Sequence, residues 1–519
     1  MNRKESISAL ARSGVVDLVV IGGGATGLGV ALDAALRGHR VVLLESHDFA
    51  GGTSSRSTKL LHGGVRYLAQ GNISLVREAL HERAAILNIA PHVSSPLAFV
   101  MPAYSAWKVP FYGIGLKIYD LLAGAAGLGS TQILSKQETL TLLPGVKAEG
   151  LFGGVKYWDA QFDDTRLALA VARSAMLAGA QLLNYVKVDA LEPLSDQIDG
   201  ARWAVAWRDQ RAEESGELRA KCVVNAAGVW VDDVLAKVQG VTKRRRMVTP
   251  SQGVHLVVDR AFLAGESALL VPKTKDGRVL FAVPWLGAVV LGTTDTVRAD
   301  APREPVALEE EIEFILREAA NVLTRAPSRA DVKSVWVGLR PLVNPTREKA
   351  TRAISREHTI EQSQAGLITV TGGKWTTYRA MAEDVLTEIH TEGLLPQRES
   401  KKTACHRLMG ASGAVTKRMT DAPGIHLFGD QSTSVLSLCG ADREVGMGLT
   451  EAMIRYSARY EFALTVEDVL ARRWRALFLD ARQALEMADR VAEILTEETA
   501  QDPELEAFQT LCRQYQLSV

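Results

Sequence analysis

The sequence predicts an α/β fold built around a dinucleotide-binding unit and closed by a mostly helical C-terminal region. Three observations carry this. Residues 17–46, DLVVIGGGATGLGVALDAALRGHRVVLLES, hold a complete βαβ pattern. Strand-like and helix-like segments then alternate as far as Ile389. Beyond a polar linker, Leu394–Thr403, the pattern turns helical.

Taken in order, Leu18–Ile21 is a short apolar run suited to a buried parallel strand. A glycine turn follows, then a helix with Leu28, Ala31, Leu32, Ala35 and Leu36 on its packed side. Gly38 ends that helix, and Val41–Leu44 forms a second strand closed by Glu45. Thr165–Ala178 and Leu308–Leu323 read as helices, and Ala220–Val224, Gly253–Val258, Ala288–Gly292 and Gly366–Val370 as strands. The polar stretch Trp207–Leu218 is a hairpin or a loop. Thr465 with Asp468 predicts a capping box, and Asp502-Pro503 predicts a cap followed by a first-turn proline.

Composition narrows the function classes. A chain of 519 residues predicts three to four structural units. With 47% hydrophobic and 23% charged residues, a disordered or fibrous chain is excluded. Lys+Arg and Asp+Glu both number 60, so the basic excess of a nucleic-acid binder is missing. Cys222, Cys405, Cys439 and Cys512 are scattered without a CxxC pair, which predicts reduced thiols and no metal site. Neither a signal-peptide core nor a transmembrane-length apolar run is expected. From Pro91 to Ser135 the only charged residues are Lys108, Lys117 and Asp120, among Trp107, Phe111, Tyr112 and Tyr119. Prolines 91, 96, 102 and 110 exclude one long helix through its first half. The segment is either core strands with a buried helix or a surface that dips into a bilayer interface.

The turn Gly22-x-Gly24-x-x-Gly27 stands directly after a strand and opens a helix. Gly22 permits the tight turn, Gly24 lets the backbone approach a diphosphate, and Gly27 lets helix and strand pack closely. Phosphates would sit at the helix N-terminus, where free N–H groups point outward. Glu45, 18 residues after Gly27, can accept from ribose hydroxyls and would repel a 2′-phosphate. Thr53, Ser54, Ser55, Ser57 and Thr58 then supply short hydroxyls, and His62-Gly63-Gly64 offers backbone suited to lying along a flat ring.

On these residues the chain resembles the FAD-dependent glycerol-3-phosphate dehydrogenases of the aerobic respiratory type. The resemblance runs through VIGGGATGLG (20–29), GTSSRSTKLLHGGVRYL (52–68), REALHERAAILNIAPH (77–92) and DDTRLALA (163–170). It continues through NAAGVW (225–230), PSQGVHLVVDR (250–260), VPWLG (283–287), GTTDT (292–296), GLRPL (338–342) and GGKWTTYR (372–379). It implies a glutathione-reductase-type FAD-binding fold with an antiparallel-sheet substrate domain and a C-terminal α-helical domain. FAD-binding segments would lie at about 15–90, 160–240 and 350–395, and substrate-domain segments at about 91–159 and 241–349. Residues 396–519 would form the helical cap. FAD would contact Gly22, Gly24, Gly27, Glu45, Thr53, Ser54, Ser55, Lys59, Leu60 and His62. Ala226 and Gly228 would line the adenosine side, with Gly338, Thr371, Gly372 and Gly373 approaching the ring.

The reaction implied is oxidation of the C2 alcohol of sn-glycerol 3-phosphate to dihydroxyacetone phosphate, with hydride to flavin N5. Arg is the natural phosphate clamp, because its planar fork pairs two oxygens at once. Arg66 with Tyr67, and Arg356, match substrate contacts of the family, Arg340 would face the flavin, and Lys374 would pair with phosphate or offset charge on the reduced ring. His255 is the expected base, its ordinary pKa near 6.5 suiting that work at neutral pH. His62 is the rival. The run Lys243–Arg246 is read as a solvated face. Arg472, Arg473 and Arg475 are read as a surface toward a homodimer partner, the membrane or solvent. The implied acceptor is membrane quinone, with the protein cytoplasmic and peripherally attached to the inner face of the cytoplasmic membrane. An oxidase that reduces oxygen to peroxide is the alternative, and a redox sensor without turnover a further one.

Overall fold

The computed structural model describes residues 3–68, 72–105, 108–212, 214–240, 245–272, 279–344, 358–363, 366–399 and 403–517, the side chains of 66, 67 and 108 excepted. Two large sheets and a helical region organise them. In the first sheet the strand order is 359–362, 368–371, 215–225, 16–21, 41–44, 181–183. Val16–Ile21 pairs in parallel with both Val41–Leu44 and Ser215–Asn225. Every residue of Val16–Ile21 is buried, which is why Leu18–Ile21 reads as a continuous apolar run rather than an alternation. Helix Ala25–Leu36 packs beside helices Asp164–Leu177 and Tyr378–Thr391. It ends at Arg37, and Gly38 adopts φ +83°, as its position predicts. The stretch 207–218 is a hairpin: Trp203–Asp209 and Ser215–Asn225 pair antiparallel.

The second sheet has ten strands, drawn from residues 60–162 and 248–343. It is antiparallel except where Ala268–Val271 runs parallel to Ser94–Ala103. Strand Val248–Asp259, one in from an edge of the sheet, pairs with Ala288–Gly292 on one side and Ser334–Val343 on the other. Successive side chains point to opposite faces of a sheet. His255 and Gly253 therefore share one face with their register partners Trp336 and Gly338, and with Arg340.

The C-terminal helices include Glu451–Tyr460, Ala481–Thr499 and Leu505–Tyr515. Their core is continuous with Trp285 and Trp336 of the second sheet. Thr465 and Asp468 form the reciprocal cap, with Asp468 N–H donating to Thr465 Oγ1 at 3.1 Å and Thr465 N–H to Asp468 Oδ2 at 3.0 Å. Pro503 does not begin a helix. Its carbonyl accepts from Val466 N–H at 2.9 Å, and the last helix opens only after Glu504, at φ +57°. The expected surface role of Arg472, Arg473 and Arg475 is also corrected, because all three are buried. Arg473 donates to Asp48 Oδ1 at 3.0 Å, and Arg472 to both Asp48 and Asp468. Arg475 donates to Ser55 O at 2.6 Å and Thr165 Oγ1 at 2.7 Å. The arginines thus bolt the helical region onto the loop after strand Val41–Leu44.

Segment 91–135 contains strand Ser94–Ala103 and helix Lys108–Ala123, and Trp107 lies outside the described residues. The helix is not buried throughout. Leu116, Tyr119 and Ala123 face the core, while Phe111 (63%), Ile114 (65%), Ile118 (45%) and Leu121 (80%) are exposed. Their i, i+3, i+7, i+10 spacing places those four on one outward face. Among the described residues no helix is long and apolar enough to cross a membrane. Of the run Lys243–Arg246, Lys243 and Arg244 lie outside the described residues, while Arg245 and Arg246 are exposed and Arg245 pairs with Glu361 at 2.8 Å.

Candidate active site

A cleft of about 570 Å³ opens between the two sheets. Its first wall is the glycine turn. Gly22 has φ +110°, and a Cβ there would stand 2.7 Å from Ala226 O. A Cβ on Gly24 would lie 3.1 Å from Ser54 Oγ, which itself accepts from Ala25 N–H at 3.0 Å. Gly27 sits behind the turn, where a Cβ would collide with Gly22 O, so it serves packing rather than contact. Glu45 borders the cleft and accepts from Gly23 N–H at 2.7 Å and His47 N–H at 2.8 Å. Thr53 and Ser54 line the same wall, and Thr53 Oγ1 donates to Leu339 O at 2.6 Å, joining this loop to the second sheet.

Leu60 and His62 also border the cleft, as do Gly338, Thr371, Gly372 and Gly373. Gly372 and Gly373 adopt φ +83° and +70°, conformations that favour glycine. Ala226 and Gly228 are also on the wall, whereas the Asn225 amide is spent on Val231 O at 2.9 Å. Ser55 is buried below the wall, its carbonyl holding Arg475. Lys59, expected at the cofactor, turns its ammonium away from the cleft. Lys59 Nζ donates to Ser55 O at 2.6 Å and Asp164 Oδ2 at 2.7 Å, 4.6 Å from the Trp336 ring centre. Burial, with Arg475 adding repulsion and Asp164 opposing it, brings its pKa down to about 7.

His255, Arg340 and Lys374 all line this cleft. His255 stacks on Trp336 with ring centres 4.0 Å apart, and its Nε2 lies 2.9 Å from Thr58 Oγ1. Its pKa is not the ordinary one predicted. Burial, then Arg340 and Lys59, hold it well below 6.5, so the imidazole is neutral. Arg340 donates to Thr293 Oγ1 at 3.1 Å and lies 3.4 Å from Asp295. Gly253 and Gly292 make both placements feasible, because a Cβ on Gly253 would collide with the Arg340 guanidinium and one on Gly292 would stand 2.5 Å from the His255 ring. Arg66 and Tyr67 fall on the short helix Val65–Leu68 with their side chains outside the description, and Arg356 lies outside the described residues. Sequence reasoning missed Trp375, whose indole donates to Ser54 O at 2.8 Å. It adjoins the quoted glycine pair, but nothing local marks its partner.

Comparison with known proteins follows this geometry. Residues 17–385 match the family of FAD-dependent oxidoreductases, and residues 374–505 match the C-terminal domain of alpha-glycerophosphate oxidase. Mitochondrial glycerol-3-phosphate dehydrogenases of Homo sapiens and Bos taurus are 38% identical to the chain, over 96% of its length and 72% of theirs. The chain belongs to the FAD-dependent glycerol-3-phosphate dehydrogenase family. The Arabidopsis thaliana relative is likewise 38% identical, over 96% of this chain and 85% of that one. The crystal structure of glycerol-3-phosphate dehydrogenase from Bacillus halodurans, complexed with FAD, matches with TM-score 0.78 and 29% identity, over 100% of this chain and 99% of that one. L-α-glycerophosphate oxidase from Mycoplasma pneumoniae shares the fold, at TM-score 0.57 and 18% identity over 76% of this chain and 98% of that one. The family cofactor is FAD. The cleft suits it: Gly22 and Gly24 line it at the start of helix Ala25–Leu36, where a diphosphate can meet the helix N-terminus, and Gly372 and Gly373 line it too.

Proposed function

We propose that the chain oxidises the C2 alcohol of sn-glycerol 3-phosphate to dihydroxyacetone phosphate and passes the electrons to membrane quinone. The supporting observation is that His255 and Arg340 share one sheet face and line, with Lys374, a cleft bordered by the dinucleotide turn. The names of the relatives supply the substrate. FAD, when bound, supplies the hydride acceptor at N5.

The chain's residues do the rest. Neutral His255 takes the C2 hydroxyl proton as C2 becomes a carbonyl. Arg340, oriented by Thr293 and Asp295, stabilises negative charge on the C2 oxygen. Arg66, Tyr67 and Arg356 hold the phosphate, and Lys374 supplies further positive charge. A phosphate dianion arriving in the cleft offsets the repulsion from Arg340 and Lys59 that adds to burial in depressing the His255 pKa, making the imidazole a stronger base once substrate is bound.

The exposed face of Phe111, Ile114, Ile118 and Leu121 supports a peripheral membrane contact, with exposed Lys117 at headgroup level. On this reading the protein works at the inner face of the cytoplasmic membrane, where a lipid-soluble quinone reaches it. The C-terminal match, named for an oxidase, favours oxygen as the second reading. Anaerobic bleaching of the flavin by sn-glycerol 3-phosphate tests the reaction, and reoxidation by a short-chain quinone compared with oxygen tests the acceptor. The proposal requires the quinone to be faster. It also requires co-sedimentation with liposomes that is weakened in the double variant Phe111→Ser, Leu121→Ser.

A further inference from the structure

The chain beyond strand Thr296–Val297 returns to the cleft and brings Arg303 against the loop Gly51-Gly52. A Cβ on Gly51 would stand 2.6 Å from Arg303 Nη2, and one on Gly52 would stand 2.8 Å from the Trp230 ring. The Arg303 guanidinium carbon lies 5.6 Å from the centre of that ring. These two glycines therefore leave room for an arginine and a tryptophan to close over the segment leading into Thr53 and Ser54.

The loop that carries Arg303 is fixed on both sides. Trp230 Nε1 donates to Ala301 O at 2.9 Å, and Glu304 pairs with Arg56 at 2.5 Å while accepting from Tyr515 Oη at 2.8 Å. Arg56 is thereby spent on Glu304, and Lys237, another cation on the wall, donates to Val188 O. Arg303 differs. Among the described residues it has neither a hydrogen-bond acceptor nor an ion-pair partner, although it borders the same cleft as Gly22, Gly24, Thr53 and Ser54. Burial works against its charge, and Glu45 and Glu467 offset that while Arg472 and Arg56 add to it. A cation carried on an anchored loop, partly desolvated and facing an open cleft calls for an anion. The bound dinucleotide brings one, its diphosphate, and the guanidinium fork matches phosphate oxygens.

We propose that Arg303 clamps the diphosphate of FAD from the side opposite the glycine turn. Cofactor binding then draws on both sheets: the helix N-terminus after Gly24 on one side, and an arginine from the polypeptide that follows Thr296–Val297 on the other.

The test is titration of apoprotein with FAD and with riboflavin, which has the same ring system and no phosphate, in wild type, Arg303→Met and Arg303→Lys. Loss of a charge-assisted hydrogen bond predicts FAD binding weakened by about 10- to 100-fold in Arg303→Met. Arg303→Lys should recover part of that loss, and riboflavin should bind all three proteins alike. FAD affinity should also fall less steeply with salt in Arg303→Met than in wild type. An FAD Kd in Arg303→Met within about threefold of wild type overturns the proposal. So does an equal loss of riboflavin affinity, which would place Arg303 in the packing of the cleft instead.

Discussion

The Tyr119 hydroxyl accepts the Gly63 backbone N–H at 2.9 Å and lies 3.0 Å from both carboxylate oxygens of Asp159. Asp159 is itself paired with buried Arg83 at 2.7 Å. The bond connects two distant surfaces. Gly63 follows His62, which borders the cleft, and Tyr119 belongs to the helix whose other face exposes Phe111, Ile114, Ile118 and Leu121. A Cβ on Gly63 would collide with the tyrosine hydroxyl, so glycine at this position reflects contact with the helix.

Tyr119→Phe keeps the ring and removes the hydroxyl. Gly63 N–H retains only its 3.3 Å contact with Asp159, and the carboxylate loses a donor. A buried polar group left unsatisfied costs about 1–3 kcal/mol, which urea unfolding of the holoprotein should show. If the helix face docks on lipid, turnover with quinone in liposomes should fall more than anaerobic flavin reduction by substrate. Equal rates in both assays would confine the bond to a structural role.

Asp48 is the counterpart of two arginines far along the chain, Arg472 and Arg473. Asp48→Ala leaves both buried near Asp468 with one anion fewer. Breaking a buried ionic network by removing one partner typically costs about 3–5 kcal/mol. The variant should lose FAD more readily, because the loop carrying Thr53 and Ser54 is held by the same C-terminal segment through Arg475 and Ser55 O. Thermal unfolding and retained flavin absorbance measure both effects. A variant with wild-type Tm and full flavin would show that the helical region docks through its apolar core alone.

Stability should fall in mild acid. His92 is buried, and burial followed by Arg166 brings its pKa down to about 3, although Asp430 and Glu461 pull the other way. The unfolded imidazole takes its proton near 6.5, so between those values the unfolded chain binds more protons than the native one. Its contribution is therefore fully present above about pH 6.5 and is lost as pH falls toward 3, by at most about 1.4 kcal/mol per unit. His255, also held low, acts in the same direction. Urea unfolding at pH 7.5, 6 and 5 should show the decline, and His92→Gln should flatten it. A profile unchanged in that variant would mean His92 is not a source of the slope.

These relationships explain what was legible in the sequence. The βαβ unit could be read because a buried parallel strand, a glycine turn and a helix each leave a local pattern, and Gly22 and Gly24 are where that pattern borders the cleft. The cleft position of His255, Arg340 and Lys374 followed from motif resemblance. The arginines at 472, 473 and 475 could not be placed, because a buried guanidinium is spelled like an exposed one and its partners at 48 and 55 lie more than 400 residues away. Lys59 misled for the same reason: its neighbours Ser54 and Leu60 border the cleft, but its side chain is captured by Asp164. Helix Lys108–Ala123 is apolar on both faces, so periodicity could not say which face meets protein.

Arg340 and Arg66 should separate kinetically. Arg340 is assigned to charge that develops on the C2 oxygen, and Thr293 and Asp295 orient its guanidinium in the cleft before substrate arrives. Removing a donor that acts in the transition state typically costs about 3–4 kcal/mol, on the order of 100- to 1000-fold in kcat. Arg66 is assigned to the phosphate, a contact made alike in ground and transition states, and its loss should raise KM with kcat nearly unchanged. Phosphate binding also positions C2, so some loss of kcat in Arg66→Ala is expected through misplacement. Anaerobic stopped flow at saturating sn-glycerol 3-phosphate removes the affinity difference and reads the chemical step as flavin bleaching. Arg340→Ala should bleach slowly with its flavin still bound, and Arg66→Ala should approach the wild-type rate once saturated. If Arg340→Ala bleaches at the wild-type rate, charge on the C2 oxygen is stabilised elsewhere, and Lys374 with His255 must carry the step.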